Sequence, residues 1–484
     1  MAKKLIMEFT QQQKAFINSF VTEINNGDAA IFAGAGLSAS AGFVNWKELL
    51  RDLAEEINLN IDIEQDYVSI AQYHFNKFKR GKINNKIINE FTTLNRGTKN
   101  HKVLSSIGIE TFWTTNYDQL IEKSLEEDGK TVELKIRNED FSHNIKKKDA
   151  IVYKMHGDKN SPDEAVLTKD DYDTYNDKRE LFSTALRGDL LSKTFLFIGF
   201  SFDDPNLDYI MSRIKVLLKD NTPTHFCFLR KVNENDFKEK EDFLYSKIKQ
   251  DLKIEDLLRY GINTITVDEY SEITLILEEI KNRILRRNIF ISGAAVEYSP
   301  FTEDLAKELI HNLSYSLAEK NYKIVSGYGL GIGSIVINGA LDYKLNSNYR
   351  NLDDLLILRP FPQVQSGTKS IKEVWTDYRQ DMISNAGIGI FLFGNKHSED
   401  KIIESNGMLE EFEICLKNNV IPIPIGVTGY VSKSLWEKIS NSMSDYYPSN
   451  KNLQDAIMNL NNSSLNNEEL IKNVIIAINI LQKI

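Results

Sequence analysis

A chain of 484 residues that is 42% hydrophobic and 26% charged holds enough apolar side chains for more than one core, and its length suits two to four domains. Nine prolines and the lack of any Gly/Ser or Gln/Asn tract argue against long disordered stretches. A net charge of −10 repels phosphate backbones, so broad nucleic-acid or anionic-membrane binding is disfavoured.

Only two cysteines occur, Cys227 and Cys415, each in an apolar run that suits a buried free thiol. With no CxxC pair there is no zinc ribbon and no metal is expected, and the sparse cysteines point to a reducing cytoplasm. No stretch approaches 18 apolar residues, so the expected protein is cytoplasmic, neither secreted nor membrane-spanning.

In chain order, Phe16, Ile17, Phe20, Val21 and Ile24 recur at helical spacing ahead of an apolar strand at 29–36. An amphipathic helix follows at 46–57, and more helix at 67–92. Strands are predicted at 111–118, 150–157, 193–202, 223–229 and 263–268. A helix starts near Gln119, another after Asp203 or Asp204 with Pro205, and charged helices fill 234–258. A second series begins near 288, with strands at 287–295, 322–326, 353–362, 387–395 and 420–426 and helices at 305–320, 335–345 and 409–419. Short apolar strands separated by helices predict parallel sheets covered on both faces, with functional groups at the carboxyl ends of the strands. The boundary near 283–288 has no flexible linker, giving domains at 1–285 and 286–484.

Three strand ends carry the first candidate site. In GAGLS, Gly34 and Gly36 allow close approach to a pyrophosphate and Ser38 adds a hydroxyl, although such a pair also marks plain turns. TTNYD places Asn116 and Asp118 after a strand, where both residue types also cap helices. MHG places His156 and Gly157 after another strand, although a lone histidine is more often structural. Together, and in this order with Gly199-Phe200-Ser201 further on, these motifs resemble the sirtuin family over roughly residues 10–285. The resemblance implies a Rossmann-like NAD site, with Gly34, Ala35, Gly36 and Ser38 around the phosphates. It further implies Asn116 at the nicotinamide ribose, Asp118 holding that loop, His156 as general base, and Gly199 and Ser201 near the adenosine.

Some family features are changed. GFVNWKEL at 42–49 stands where sirtuins read GIPDFR, Thr115 replaces the usual glutamine, and the zinc ribbon that supports acyl-peptide binding is missing. Those departures count against protein deacylation and leave the NAD-cleaving core. Cleavage of the N-glycosidic bond makes an oxocarbenium-like ribose, so the site must hold the sugar and supply one nucleophile, either water or a ribose hydroxyl. An imidazole can take the proton near neutral pH.

The second site rests on SGAAVEY (292–298) and SGYGLGIGS (326–334), two glycine-rich strand ends that suggest a nucleotide cleft. Its expected residues are Ser292, Gly293, Gly327, Gly329 and Gly331, joined by Arg359, Arg379, Lys396 and Glu411, which suit phosphates and ribose hydroxyls. GYGLGIG resembles the SLOG family. ESNGMLEEFE (404–413) lacks the PGG of its catalytic members, which favours binding without hydrolysis.

A zinc-free sirtuin-like domain followed by a SLOG domain resembles the effector NADases of Thoeris antiphage defence. The resemblance implies activation by a cyclic ADP-ribose isomer made by a TIR-domain partner, NAD depletion, and a homo-tetramer or larger assembly. The alternatives are an NAD-dependent protein deacylase and a catalytically inactive nucleotide sensor.

Overall fold

The computed structural model describes residues 9–64, 66–92, 96–202, 205–218, 223–347, 351–362, 368–399 and 401–483. The chain divides into two compact α/β units, Met1–Lys281 and Asn282–Ile484.

The first unit is built on seven parallel strands: β1 (Ala29–Ala33), β2 (Thr111–Thr114), β3 (Val132–Lys135), β4 (Ala150–Lys154), β5 (Thr194–Ile198), β6 (His225–Arg230) and β7 (Ile262–Val267). Their order is β3-β4-β2-β1-β5-β6-β7. The chain fills one side of β1 with β2, β3 and β4, β4 lying between the other two, then returns to its other side at β5. Such a reversal is where sheets of this kind bind ligands, at the carboxyl ends of the strands.

Helix Gln11–Asn26 shows how the sequence fixes the layers. Thr10 and Gln13 form a capping box, and Gly27 ends the helix at φ 83°. Phe16, Ile17, Phe20 and Ile24 are buried, and the Phe16 ring meets Phe226 and Phe228 of β6 edge-on. On another flank, the helical region expected at 67–92 is two helices, Tyr67–Phe78 and Arg80–Phe91, broken where Lys79 takes φ 63°. With helix Trp46–Glu56 they enclose a core of Leu50, Ile70, Ile83 and Ile87 that also packs on Tyr117 and Leu120 beside the candidate site. The expected start of the later helix at Asp203 or Asp204 lies outside the described residues; the helix runs Pro205–Leu218.

Strand β3 was not anticipated. Its buried residues are Glu133 and Lys135, which pair with each other, and Lys148 lies 2.5 Å from Glu133, while apolar Val132 and Leu134 are half-buried. Hydropathy is inverted there, so a reading by apolar alternation passes over it.

The second unit has the parallel strands β8 (Asn288–Ala294), β9 (Lys323–Ser326), β10 (Leu356–Leu358) and β11 (Ile388–Phe393). An antiparallel ribbon follows, β12 (Asn395–Ser398) with β13 (Lys401–Glu404), and then β14 (Ile421–Pro424). The sheet order is β10-β9-β8-β11-β14, with the same reversal at its centre. Helices Glu303–Glu319, Gly333–Asn346, Ile371–Ser384, Asn406–Lys417 and Asn467–Lys483 flank it.

Among the described residues, no helix is long and apolar enough to cross a membrane, and no group of three His, Cys, Asp or Glu could hold a metal ion. Both cysteines are buried free thiols.

Candidate active site and a second cleft

Register alone aligns the motifs of the first unit. Ala33 pairs with Thr114 and with Ile198, and Thr114 pairs with Lys154. Two residues beyond those partners stand Ala35, Asn116, Phe200 and His156, on strands about 4.8 Å apart. Asn116 and His156 therefore each lie in the loop two residues past a paired end of neighbouring strands.

Asn116 is anchored by both of its amide protons. Nδ2 donates to the Gly34 carbonyl at 3.0 Å and to Ser38 Oγ at 3.1 Å, while its backbone N–H donates to Thr114 Oγ1 at 3.0 Å. The group left for a substrate is the carbonyl oxygen Oδ1, an acceptor suited to a sugar hydroxyl. His156 is 2% exposed, with its ring edge-on to Tyr172 at 5.7 Å and Tyr175 at 6.4 Å. Its carbonyl accepts from the Val166 N–H at 2.9 Å, and Gly157 turns the chain at φ 91°.

The glycines act first on one another. A Cβ at Gly34 would lie 2.4 Å from the Gly199 carbonyl oxygen, and one at Gly36 would lie 2.8 Å from Gly199 Cα. The Gly34 N–H donates to the Ile198 carbonyl at 3.0 Å and the Gly36 N–H to the Gly199 carbonyl at 2.9 Å. Those two amides are already committed, so these glycines serve the close packing of two loops rather than supplying donors. Ala35 is half-buried and Gly36 exposed, which leaves this rim open. Ser201 is exposed, and its carbonyl accepts from Lys253 at 2.7 Å.

Asp118 faces inward. Its Oδ1 accepts from the Leu120 N–H at 2.9 Å, in a turn just ahead of helix Leu120–Glu127. Beneath it lies a group that motif reading missed. Lys154 is fully buried, with Nζ 3.0 Å from Glu122 Oε1 and 2.5 Å from Asp158 Oδ2, and it also donates to the backbone carbonyl of Asp118. Burial alone would push this ammonium down, but Glu122 and Asp158 together hold it above its ordinary value. A lysine at the end of an otherwise apolar strand, directly before MHGD, was the available signal.

In the second unit, a cleft of about 590 Å³ opens beside the loop after β9, within the range of nucleotide-sized sites. Tyr328, Gly329, Leu330, Gly331, Phe361, Trp375 and Arg379 are among its lining residues. Three expected residues are therefore in its wall. The others stand behind or beside it. A Cβ at Gly329 would lie 1.9 Å from the Gly293 carbonyl oxygen, and one at Gly327 would lie 2.7 Å from the Phe361 ring, so these glycines interlock the loops. Ser292 donates to Glu411 at 2.6 Å, and Glu411 accepts from Arg379 Nε at 3.3 Å. Arg379 also donates to Glu410 at 3.0 Å and stacks over the Phe361 ring at 4.8 Å. Burial raises the Glu411 carboxyl, an effect that Ser292 and Arg379 partly offset. Arg359 is exposed at the end of β10 and Lys396 half-buried on β12, and neither is in the cleft wall.

The aromatic wall was not anticipated. Trp375 sits on helix Ile371–Ser384, whose capping box, Ser370 with Glu373, was legible in sequence.

Comparison with known proteins finds two families along the chain. The SIR2-like domain family matches residues 110–253, and the Sir2- and TIR-associating SLOG family matches residues 272–482. A protein of Cytobacillus dafuensis named NAD(+) hydrolase ThsA is 45% identical over 490 residues, covering 99% of each chain. Its namesake from Bacillus cereus (strain MSX-D12) is 46% identical, covering 96% of this chain and 98% of its own. Another from Acinetobacter baumannii (strain 532279) is 43% identical, covering 94% and 96%. Identity at this level over more than nine-tenths of each chain places the protein in the family of the NAD(+) hydrolase ThsA, the effector NADases of Thoeris defence.

Proposed function

We propose that residues 1–285 hydrolyse NAD+ and that residues 286–484 gate this reaction by binding a nucleotide signal. Hydrolysis of NAD+ is the activity for which the family is named. The observation that supports the site assignment is that Asn116 and His156 both lie two residues past the paired ends of neighbouring strands, on the same edge as the interlocked loops of Gly34, Ala35, Gly36 and Ser38 and of Gly199 and Ser201.

In this reading the pyrophosphate lies along the rim at Ala35 and Gly36, with the adenosine toward Gly199 and Ser201. Asn116 Oδ1 accepts a hydroxyl of the nicotinamide ribose, and Asp118 holds the Asn116 loop through its bond from the Leu120 N–H. As the glycosidic bond breaks, its electron pair leaves with nicotinamide, which departs neutral from a cationic ring. Water adds to the ribosyl cation and His156 takes the released proton, giving ADP-ribose. Two tyrosine rings around His156 exclude bulk solvent, which strengthens each polar contact with the sugar. No residue in this scheme calls for a metal.

The signal in this reading is a cyclic ADP-ribose isomer made by a TIR-domain partner, bound in the second cleft. Aromatic Phe361 and Trp375 suit a base, Arg379 a phosphate, and Glu411 a ribose hydroxyl, with Arg359 and Lys396 adding positive charge nearby. A signal shifts the enzyme only by binding the active arrangement more tightly than the resting one. The setting is a homo-tetramer or larger in the bacterial cytoplasm, where NAD depletion aborts phage growth.

The test is NAD+ loss by the full chain with and without cyclic ADP-ribose isomers. We expect stimulation by one isomer, and loss of turnover in folded Asn116→Ala and His156→Ala. Wild-type turnover in folded His156→Ala would overturn the assignment. Nicotinamide release that depends on an acylated peptide would instead support deacylation.

A further inference from the structure

The structure assigns a positioning role to Lys154: its buried ammonium clamps the loop that carries Asn116 to the strand that carries His156, and so fixes the separation of the two groups. The inference rests on the site reading above and adds a residue to it.

Lys154 is the last residue of β4, two before His156. Its Nζ reaches across to the segment that follows Asn116, donating to the carbonyl of Asp118 and lying 3.5 Å from that of Tyr117. The same atom meets Glu122, in the first turn of helix Leu120–Glu127, and Asp158, just past the His156-Gly157 turn. Asp158 passes the restraint on: Oδ1 accepts from the Asn160 N–H at 2.8 Å and from Gln119 Nε2 at 3.3 Å. Thus both loops are tied to one charge, from the β2 side through two backbone carbonyls and Glu122, and from the β4 side through Asp158 and the strand itself.

Lys154, Glu122 and Asp158 are 0%, 4% and 1% exposed, so water does not compete for these bonds. A buried ion cluster is weak evidence for stability, since apolar groups of the same volume often serve as well. What an apolar replacement cannot supply is a fixed distance between two loop backbones. Substrate-aligned groups are sensitive to this: a misplacement of about 1 Å can cost about a hundredfold in rate.

Lys154→Met alone strands two buried carboxylates. The triple variant Lys154→Met, Glu122→Gln, Asp158→Asn keeps the volumes and neutralises all three groups. Both are compared with wild type in the full chain, with NAD+ as substrate and under whichever isomer condition the wild type turns over. We expect the triple variant to melt near wild type, with kcat down about 10- to 100-fold and KM within about twofold. A loss confined to stability or to KM would overturn the proposal, as would a triple variant that melts below the assay temperature, since the cluster would then serve folding alone. Asn116→Ala and His156→Ala run alongside. If they are inactive while the triple variant keeps wild-type kcat, only the Lys154 inference fails; if they remain active, the site reading fails first.

Discussion

Gly199→Ala is the sharpest test of the interlocked loops. Gly199 sits at φ 64°, where an L side chain costs about 1–2 kcal/mol. A methyl group there would lie 2.1 Å from the Leu37 nitrogen and 2.6 Å from the Gly36 carbonyl carbon. Ordinary contact begins at 3.4 Å, so the GAGLS loop must retreat by about 1.3 Å. The atoms met are backbone, so no side-chain rotation relieves the clash. Because Asn116 is bonded to Gly34 and Ser38 of that same loop, its carboxamide moves too, and a shift of this size corresponds to about a hundredfold in kcat. The assay is NAD+ loss under activating conditions, paired with thermal melting. Gly188→Ala is the control: this exposed glycine inside helix Glu180–Ser192 has nothing within 4 Å of a new Cβ, and the change should stabilise by up to about 1 kcal/mol. A Gly199→Ala protein with wild-type kcat and melting would refute the claim that the two loops leave no room for a side chain.

In the second unit, Ser292→Ala removes the 2.6 Å bond to Glu411 and should cost about 1.5–3 kcal/mol at pH 7, read by denaturant unfolding. Burial already raises Glu411, and a raised carboxyl favours folding below its unfolded value and loses that advantage as pH rises; the deficit of Ser292→Ala should therefore narrow toward pH 5, and a pH-independent deficit would contradict this. Burial pushes His101 and His225 of the first unit down to about 4, so the stability of their neutral forms is whole above pH 6.5 and is lost as pH falls toward 4, roughly 3 kcal/mol for each. Melting should drop over that window, and a flat profile from pH 7 to 4.5 would contradict it. Cys227 and Cys415 are buried with thiols pushed up, Cys227 to about 11, so a thiol reagent should label them only on unfolding, and rapid labelling of the native chain would contradict their burial.

Periodicity and punctuation in the sequence determined the two α/β series and the residues at the strand ends. Apolar runs such as AAIFA and IGIFLF, short and followed by glycine where the chain turns, read as buried strands. Tertiary structure alone decided what those residues touch. The glycines of GAGLS are fitted to Gly199, more than 160 positions away, and their clearance is invisible until the two loops are side by side. Lys154 looks like a misplaced charge until the sheet order brings Glu122 and Asp158 to it. Strand β3 buries its charges because Lys148 arrives from elsewhere to pair with Glu133. The aromatic wall of the second cleft forms only when helix Ile371–Ser384 meets the loop after β9. Local sequence sets which dihedrals and which faces are favourable, whereas electrostatic pairing and close contact depend on distances between segments that only the folded sheet order fixes.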